Sequence, residues 1–399
     1  MLQFQRDLKL VKHLDGLGFE EFWCGEHHSS GWETIASPEM FLAAAAQHTH
    51  RIRLGTGVTS LPYHHPFNVA QRIVQLDLMS NGRAMFGSGP GALPSDAKTH
   101  GIDPTLLRDR QDEALGVILR LLRGEDRFSY ECDWFELHDA KLQLLPVQAD
   151  MPMATASSIS PSGMTLAGKY GMGALSIASN SADGLDALPT QWSFAEEAAT
   201  KHGQTVDRAD WRVLMAFHLA ETEEEARNQA VDGLHRWHNE YNVWTLGRPG
   251  AEHVDDKWDL LERTAGGGAS GTGTSVIGTP DQLVAAIRNL QEVTGGFGVV
   301  MGFAHDWANP ENTLRSWDLF ARYVIPELRG MTVGLRESQE YLNANRDELM
   351  GGAGRAIMAK VMENERAAEA MQITAGRMAQ RAESGEQSEF RPGGGIPEE

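Results

Sequence analysis

The sequence predicts an α/β fold of the (β/α)8 barrel type. Three observations carry that expectation. Short strands that are apolar throughout alternate with helices, the pattern of a parallel sheet covered on both faces. Five helices open on a capping residue followed by proline: Ser37-Pro38, Asp103-Pro104, Ser160-Pro161, Thr279-Pro280 and Asn309-Pro310. The first side chain can accept a free helix N–H, and proline removes a donor that would be unpaired anyway. The length, 399 residues, accommodates one barrel of roughly 250 residues with insertions and a tail.

Taken in order, the chain opens on a helix. Phe4, Leu8, Val11, Leu14 and Leu17 recur at spacings of four and three, and Gly16 and Gly18 end the stripe. Phe19–Cys24 reads as a strand running into Gly25-Glu26-His27-His28. Ile52–Thr59 is the next strand, followed by a helix over 67–79. Ala84–Ser88 is a short strand closed by glycines, and a long helix follows over 104–122. Phe128–Leu137 has the aromatic content of an inserted strand pair. Met151–Ser157, Ala174–Ala178 and Arg212–Ala220 are strands with a helix after each. Thr279 and Gln282 have capping-box spacing. Phe297–Phe303 is the last strand, and a helix over 310–328 closes the set. Seven strands alternate in this way. The eighth, which would close the barrel, is expected ahead of the first helix, where this chain has none; a start missing that strand is the expectation.

Residues 1–330 are therefore expected to form the barrel domain, and 331–399 a tail with a helical middle and a Gly/Glu/Pro-rich, disordered end. Arg248–Gly278 contains the glycine-rich run Gly266–Gly273 and is expected to be a lid. The composition, 41% hydrophobic and 23% charged, excludes wholesale disorder. A net charge of −20 argues against nucleic acid or an anionic membrane as partner. No apolar run is long enough to span a bilayer. Cys24 and Cys132 cannot build a disulfide framework, and Cys24 in an apolar run reads as a reduced, buried thiol. No signal-peptide pattern opens the chain. A cytoplasmic enzyme is the expectation.

In parallel barrels the ligand site lies at the C-terminal ends of the strands. That rule selects Glu26, His27 and His28; Thr59 and Ser60, with His64 and His65 beyond; the Gly87-Ser88-Gly89-Pro90-Gly91 turn; Ser157, Ser158 and Ser160; Ser179 and Asn180; and His305 and Asp306. The serines run from a strand end into a helix start, where hydroxyls, free N–H groups and the helix dipole suit a phosphate. Ser160 reads equally as a plain N-cap. The Gly87–Gly91 turn lacks the third glycine of a dinucleotide fingerprint, and the Gly266–Gly273 run lacks a following lysine, so neither is a nucleotide loop. Adjacent histidines point to opposite faces of a strand, so each pair offers one inward ligand and no metal site is expected. His27 at a barrel mouth is suited to general acid or hydrogen-bond donor work. His218, inside an apolar run, reads as a core histidine.

Three segments carry a family resemblance. Leu17-Gly18-Phe19…Trp23…Gly25-Glu26-His27-His28, Leu54-Gly55-Thr56-Gly57-Val58…Leu61-Pro62…His65-Pro66 and Leu76-Asp77…Ser80-Asn81-Gly82-Arg83…Phe86-Gly87 resemble the bacterial luciferase-like flavin monooxygenases, in register from residue 5 to about 330. The resemblance implies a (β/α)8 barrel, reduced flavin (FMN or FAD) and O2 activation through a flavin C4a-hydroperoxide. NADH would enter indirectly, through a flavin reductase partner. It implies that His27 stabilises the oxygenated flavin and handles protons, that Ser157, Ser158 and Ser160 hold the flavin phosphate, and that Thr59 and Gly89 line the ring pocket. It further implies that the strand end at Thr56–Thr59 can carry a cis non-proline peptide, that Arg248–Gly278 is a mobile lid, and that the chain forms a homodimer. The family arginine that assists the phosphate near Pro90 is absent here, which leaves the serines. Glu26–Trp32, Ser157–Ser160 and Ala304–Pro310 look most like the limonene 1,2-monooxygenase-type subgroup, which epoxidises monoterpenes; Trp32 and Trp307 would then line an apolar substrate pocket. The alternatives are an F420-dependent dehydrogenase on the same barrel and a flavin-binding protein without turnover.

Overall fold

The computed structural model describes residues 2–177, 182–248, 250–265 and 274–384. Its strands are β1 (Glu21–Cys24), β2 (Arg53–Thr56), β3 (Thr59–Ser60), β4 (Ala84–Gly89), β5 (Phe128–Glu131), β6 (Glu136–Ala140), β7 (Met153–Ser157), β8 (Gly173–Ser176), β9 (Trp211–Leu219), β10 (Ser275–Gly278) and β11 (Val299–Gly302). The helices are α1 (Leu2–Leu17), α2 (Pro38–Ala46), α3 (Pro66–Met79), α4 (Pro94–Thr99), α5 (Leu107–Leu122), α6 (Ser162–Tyr170), α7 (Ala182–His202), α8 (Glu223–Arg236), α9 (Lys257–Ala265), α10 (Pro280–Thr294), α11 (Pro310–Leu319) and α12 (Ile325–Leu328).

The sheet is parallel, in the order β1-β2-β4-β7-β8-β9, with helices between the strands. β3 continues the line of β2 and pairs with β4. β11 pairs with the first half of β9 and β10 with its second half. β5 and β6 make the inserted antiparallel hairpin. Among the described residues no ladder joins β1 to β10 or β11, so the curled sheet stays open where the strand before α1 was expected.

β10 is a strand that the alternation of apolar runs did not include. It has four residues, follows the glycine run directly and carries no periodic signal, so it reads as part of the loop. Within Arg248–Gly278 the described residues form α9 and β10, while 249 and 266–273 lie outside them. The strand expected over 52–59 divides at Gly57-Val58, which is a cis peptide.

Side chains secure the open edge. Arg212 on β9 makes a two-point ion pair with Glu21 on β1, with Nε–Oε2 and Nη2–Oε1 both at 2.7 Å. The same guanidinium lies 5.2 Å over the Trp23 ring. Trp23 fits because its neighbours are glycines: a Cβ on Gly55 would stand 2.4 Å from its ring. The Asp77…Arg83 segment is a clamp. Asp77 accepts from the Val147 and Gln148 N–H groups at 2.7 and 3.2 Å, and Arg83 binds the loop between α2 and β2. Cys24 is buried and free. The main core packs Leu42, Ile52, Leu54, Ile73, Phe86 and Leu115 between sheet and helices.

From residue 330 onward the chain forms a separate unit, described to residue 384; the Gly/Glu/Pro-rich end expected to be disordered lies outside the described residues. Its described part is three helices, α13 (Val333–Ala344), α14 (Arg346–Met362) and α15 (Glu365–Ser384). Among the described residues no helix is long and apolar enough to cross a membrane.

Candidate active site

The C-terminal strand ends converge in register. Thr59 stands opposite Ser88, and Ser88 opposite Thr155; Gly89 lies one residue and Ser157 two residues further along their strands, toward the C-terminal ends. Thr59 is wholly buried, and its Oγ1 has no hydrogen-bond partner. Such a hydroxyl costs free energy unless a ligand completes it. Gly89 is required by packing: a Cβ there would sit 2.3 Å from Val58 Cγ2.

β1 delivers Glu26, His27 and His28. The two histidines diverge, as neighbours on extended chain must. Glu26 turns inward and is nearly inaccessible. Its Oε1 receives His28 Nε2 at 2.9 Å and His64 Nε2 at 2.7 Å, and its Oε2 receives the Ser60 N–H at 2.8 Å. Burial pushes this carboxyl up, but the three donors outweigh it and hold it below the usual range. Glu26 thereby ties β1 to Ser60, next to Thr59.

His27 faces the mouth, one-fifth exposed. Its Nε2 lies 2.9 Å from Glu33 Oε2 and its Nδ1 3.3 Å from Asp96 Oδ2. Burial alone would lower its pKa, yet Glu33 and Asp96 prevail and raise it. Burial pushes Glu33 up, and His27, with the nearby Tyr241 hydroxyl and the charge of Arg248, brings it below its ordinary value. Tyr241 belongs to a π-helical turn, Trp237–Thr245, that follows α8.

The serine cluster is gathered at the start of α6. Ser157 is buried, with Oγ 3.3 Å from Gln191 Oε1. Gln191 Nε2 also binds the Ile159 carbonyl at 3.0 Å, so α7 pins this loop. Ser158 is exposed. Ser160 does not cap the helix: α6 begins at Ser162 with Pro161 at the cap position, and the Ser160 hydroxyl pairs with Ser162 Oγ at 2.8 Å. No side chain caps α6, which leaves its first N–H groups for an anion. Arg108, in the first turn of α5, donates from Nε to Ser162 Oγ at 3.3 Å. The cluster therefore has a cation, where the sequence offered only serines.

Ser179 and Asn180 lie outside the described residues. His65 reaches the Glu136 carbonyl and meets the Phe135 ring edge-on, away from the serine cluster, and His218 is a core histidine bonded to Gln229 at 2.9 Å. His305 is half-buried and stacks 3.7 Å from Trp307. An aromatic wall joins Trp32, Tyr241, Trp237, Phe303 and Trp307, with successive ring centroids 5.4 to 6.2 Å apart from Trp32 through to Trp237, and 6.0 and 5.6 Å from Trp237 to Phe303 and Trp307. Asp96, Glu33, Arg108, Tyr241 and Gln191 were not singled out from sequence; a charge in a helical first turn is the single hint that Arg108 and Asp96 carry, and it is common to many helices.

These donors fit a flavin. An uncapped helix with serines and an arginine suits a phosphate, and an unpartnered buried hydroxyl suits a ring heteroatom. Known proteins agree. A family profile described as "Luciferase-like monooxygenase" matches residues 2–295. The limonene 1,2-monooxygenase of Rhodococcus erythropolis is 48% identical over 342 residues, covering 86% of each chain. The 4-hydroxyprotoasukamycin monooxygenase of Streptomyces nodosus subsp. asukaensis is 47% identical over 345 residues, 84% of this chain and 90% of that one. The FMN complex of the oxygenating constituent of 3,6-diketocamphane monooxygenase from Pseudomonas putida superposes with a TM-score of 0.67 at 27% identity, over 81% of this chain and 93% of that one.

Proposed function

The chain belongs to the luciferase-like monooxygenase family, and from that premise we propose that it is the oxygenating component of a two-component flavin monooxygenase acting on a small apolar substrate. The observation that carries the reading is the rim itself, where the unpartnered Thr59 hydroxyl stands on the strand row next to the uncapped α6. Bound reduced flavin would supply the electron pair and the activation of O2; the protein supplies position, protons and dryness. Ser157, Ser158, Ser160, Ser162 and Arg108 would hold the phosphate, and Thr59 would donate to the ring beside Gly89. His27, protonated between its carboxylates, would donate a hydrogen bond at the reacting oxygen. The aromatic wall from Trp32 to Trp307 would exclude water and receive the substrate.

For the substrate, epoxidation of a monoterpene such as limonene is the first reading, supported by the 48% identity to a limonene 1,2-monooxygenase. FMN is favoured over FAD by the FMN-bound relative. Because that relative is an oxygenating constituent, reduced flavin would come from a separate NADH-dependent reductase in the cytoplasm. A homodimer through α3 and α5 belongs to the same reading, and Leu78, Leu144 and Val147 stand exposed near α3. Arg248–Gly278 would close the mouth as a lid.

The test is turnover with chemically or enzymatically reduced FMN, O2 and a panel of monoterpenes and aldehydes, with products resolved by gas chromatography. Oxygenated product with matching O2 uptake supports the proposal. Flavin oxidation without product on every substrate removes the monooxygenase reading, and hydride transfer to F420 without O2 uptake replaces it with a dehydrogenase.

A further inference from the structure

His27 is held by carboxylates at both ring nitrogens, and the two carboxylates are held very differently. A neutral imidazole donates from one nitrogen only, so acceptors on both sides are satisfied only by the imidazolium. On the Nδ1 side, Asp96 is 1% exposed and sits in the first turn of α4. Its second oxygen takes the His28 N–H at 3.1 Å and the Ser29 hydroxyl. Asp96 therefore cannot leave without unpairing two further donors. On the Nε2 side, Glu33 lies in the irregular segment between β1 and α2; its side chain is 41% exposed overall, although the Oε2 that faces His27 is buried. A second holder lies close to it: the Tyr241 hydroxyl, with the charge of Arg248 nearby.

We propose that Asp96 and Glu33 are opposed positioning residues for His27, Asp96 the fixed anchor at Nδ1 and Glu33 the exchangeable partner that yields Nε2 to the bound ligand while Tyr241 retains the carboxylate. This rests on the reading of His27 as the proton-handling residue. No covalent step is involved: the ion-pair contact of Nε2 with Glu33 Oε2 gives way to a hydrogen bond from Nε2–H to a ligand oxygen. Any movement of the π-helical turn would change how firmly Tyr241 holds Glu33, which links that turn to the histidine. The charged groups that face His27 are Glu33 from the loop and Asp96 from α4, with Tyr241 and Arg248 acting behind Glu33.

The experiment is a pH titration of ring-¹⁵N-histidine protein by NMR without flavin, then with FMN added. His27 is assigned by its loss in His27→Gln. In the wild type, His27 is expected to stay doubly protonated above the ordinary histidine range. Asp96→Asn and Glu33→Gln should each lower its titration midpoint by ~1 unit or more, as loss of a contacting opposite charge does. FMN should move the Nε2 resonance and leave Nδ1 in place. A midpoint unchanged in both variants, or Nδ1 as the nitrogen that responds to FMN, overturns the proposal. If Asp96→Asn does not fold, Glu33→Gln, in an irregular segment outside the helices and strands, carries the same test. Turnover separates the two readings. A titration as expected, with product coupling unchanged in His27→Gln, keeps the positioning pair and removes the role of His27 in oxygenation. A failed titration removes the pair, whatever the turnover.

Discussion

His64 Nε2 lies 2.7 Å from Glu26 Oε1, and that contact makes Glu26 the buried post on which the rim is built. The carboxylate gathers donors from β1, from the Ser60 backbone and from the turn after β3. Removing it leaves three donors unpaired in a closed space. Glu26→Ala is expected to cost about 3 kcal/mol or more of unfolding free energy, as loss of one side of a buried pair does. Glu26→Gln, which keeps an acceptor, should cost less. Urea unfolding measures both. Because Ser60 adjoins Thr59, flavin titration of Glu26→Gln should also show weakened binding.

Arg108 brings a cation to hydroxyls that are 54 residues further along the chain. On the proposed reading its contribution is specific to a phosphate. Arg108→Ala is expected to weaken FMN binding by ~10-fold or more, the usual worth of a charge-assisted hydrogen bond. Riboflavin, which lacks the phosphate, should bind wild type and variant alike. Equal losses for both ligands would show that Arg108 shapes the loop instead of holding an anion.

Arg83 explains why the Asp-x-x-Ser-x-Gly-Arg segment stands out in the sequence. Its guanidinium donates to the Ile52, Ala46 and Thr49 carbonyls and the Thr49 hydroxyl at 2.8 to 3.1 Å, and its Nε to the Ser80 carbonyl at 2.9 Å. This is a structural clamp that fixes the entry to β2. Arg83→Met would strand several carbonyls at once and should cost on the order of 3 kcal/mol in urea unfolding. Arg83→Lys should recover little of it, because an ammonium cannot reproduce the fork.

What could be read from the sequence was what local chemistry decides. Thr279 and Gln282 form the full capping box, and Asn309 and Asp103 cap as their spacing indicated. Each works through atoms within three residues. Ser160-Pro161 carries the same signature and behaves otherwise, because Ser162, Arg108 and Gln191 draw that loop into a tertiary network. His27 was legible from its place after a strand. Its partner Asp96 was not, since 69 residues separate them and only the return of the chain after β4 brings them together. β10 escaped for a different reason: four residues paired along half a neighbour leave no period to detect.

His305 supplies a pH test that does not depend on any ligand. The ring is half-buried, with Nε2 donating to the Phe217 carbonyl at 2.9 Å and Nδ1 accepting from the Trp307 N–H at 3.3 Å. Both nitrogens are used by the neutral tautomer, so protonation would oppose a donor to a donor. Burial, with His218 nearby, pushes the pKa down to about 3. The folded pKa thus lies below the ordinary unfolded value of about 6.5. Below that value the unfolded chain takes up a proton that the folded chain refuses. The stabilisation is therefore complete above pH ~6.5 and is lost progressively toward the folded pKa, amounting to ~2 kcal/mol by pH 5. His305→Gln can keep both hydrogen bonds without titrating. Urea unfolding at pH 7, 6 and 5 should show the wild type losing ~2 kcal/mol more than the variant across that range. His218, which is also lowered by burial, is present in both proteins and cancels in the difference. Parallel pH dependences would mean that His305 titrates normally, and that the wall it forms with Trp307 is open to water.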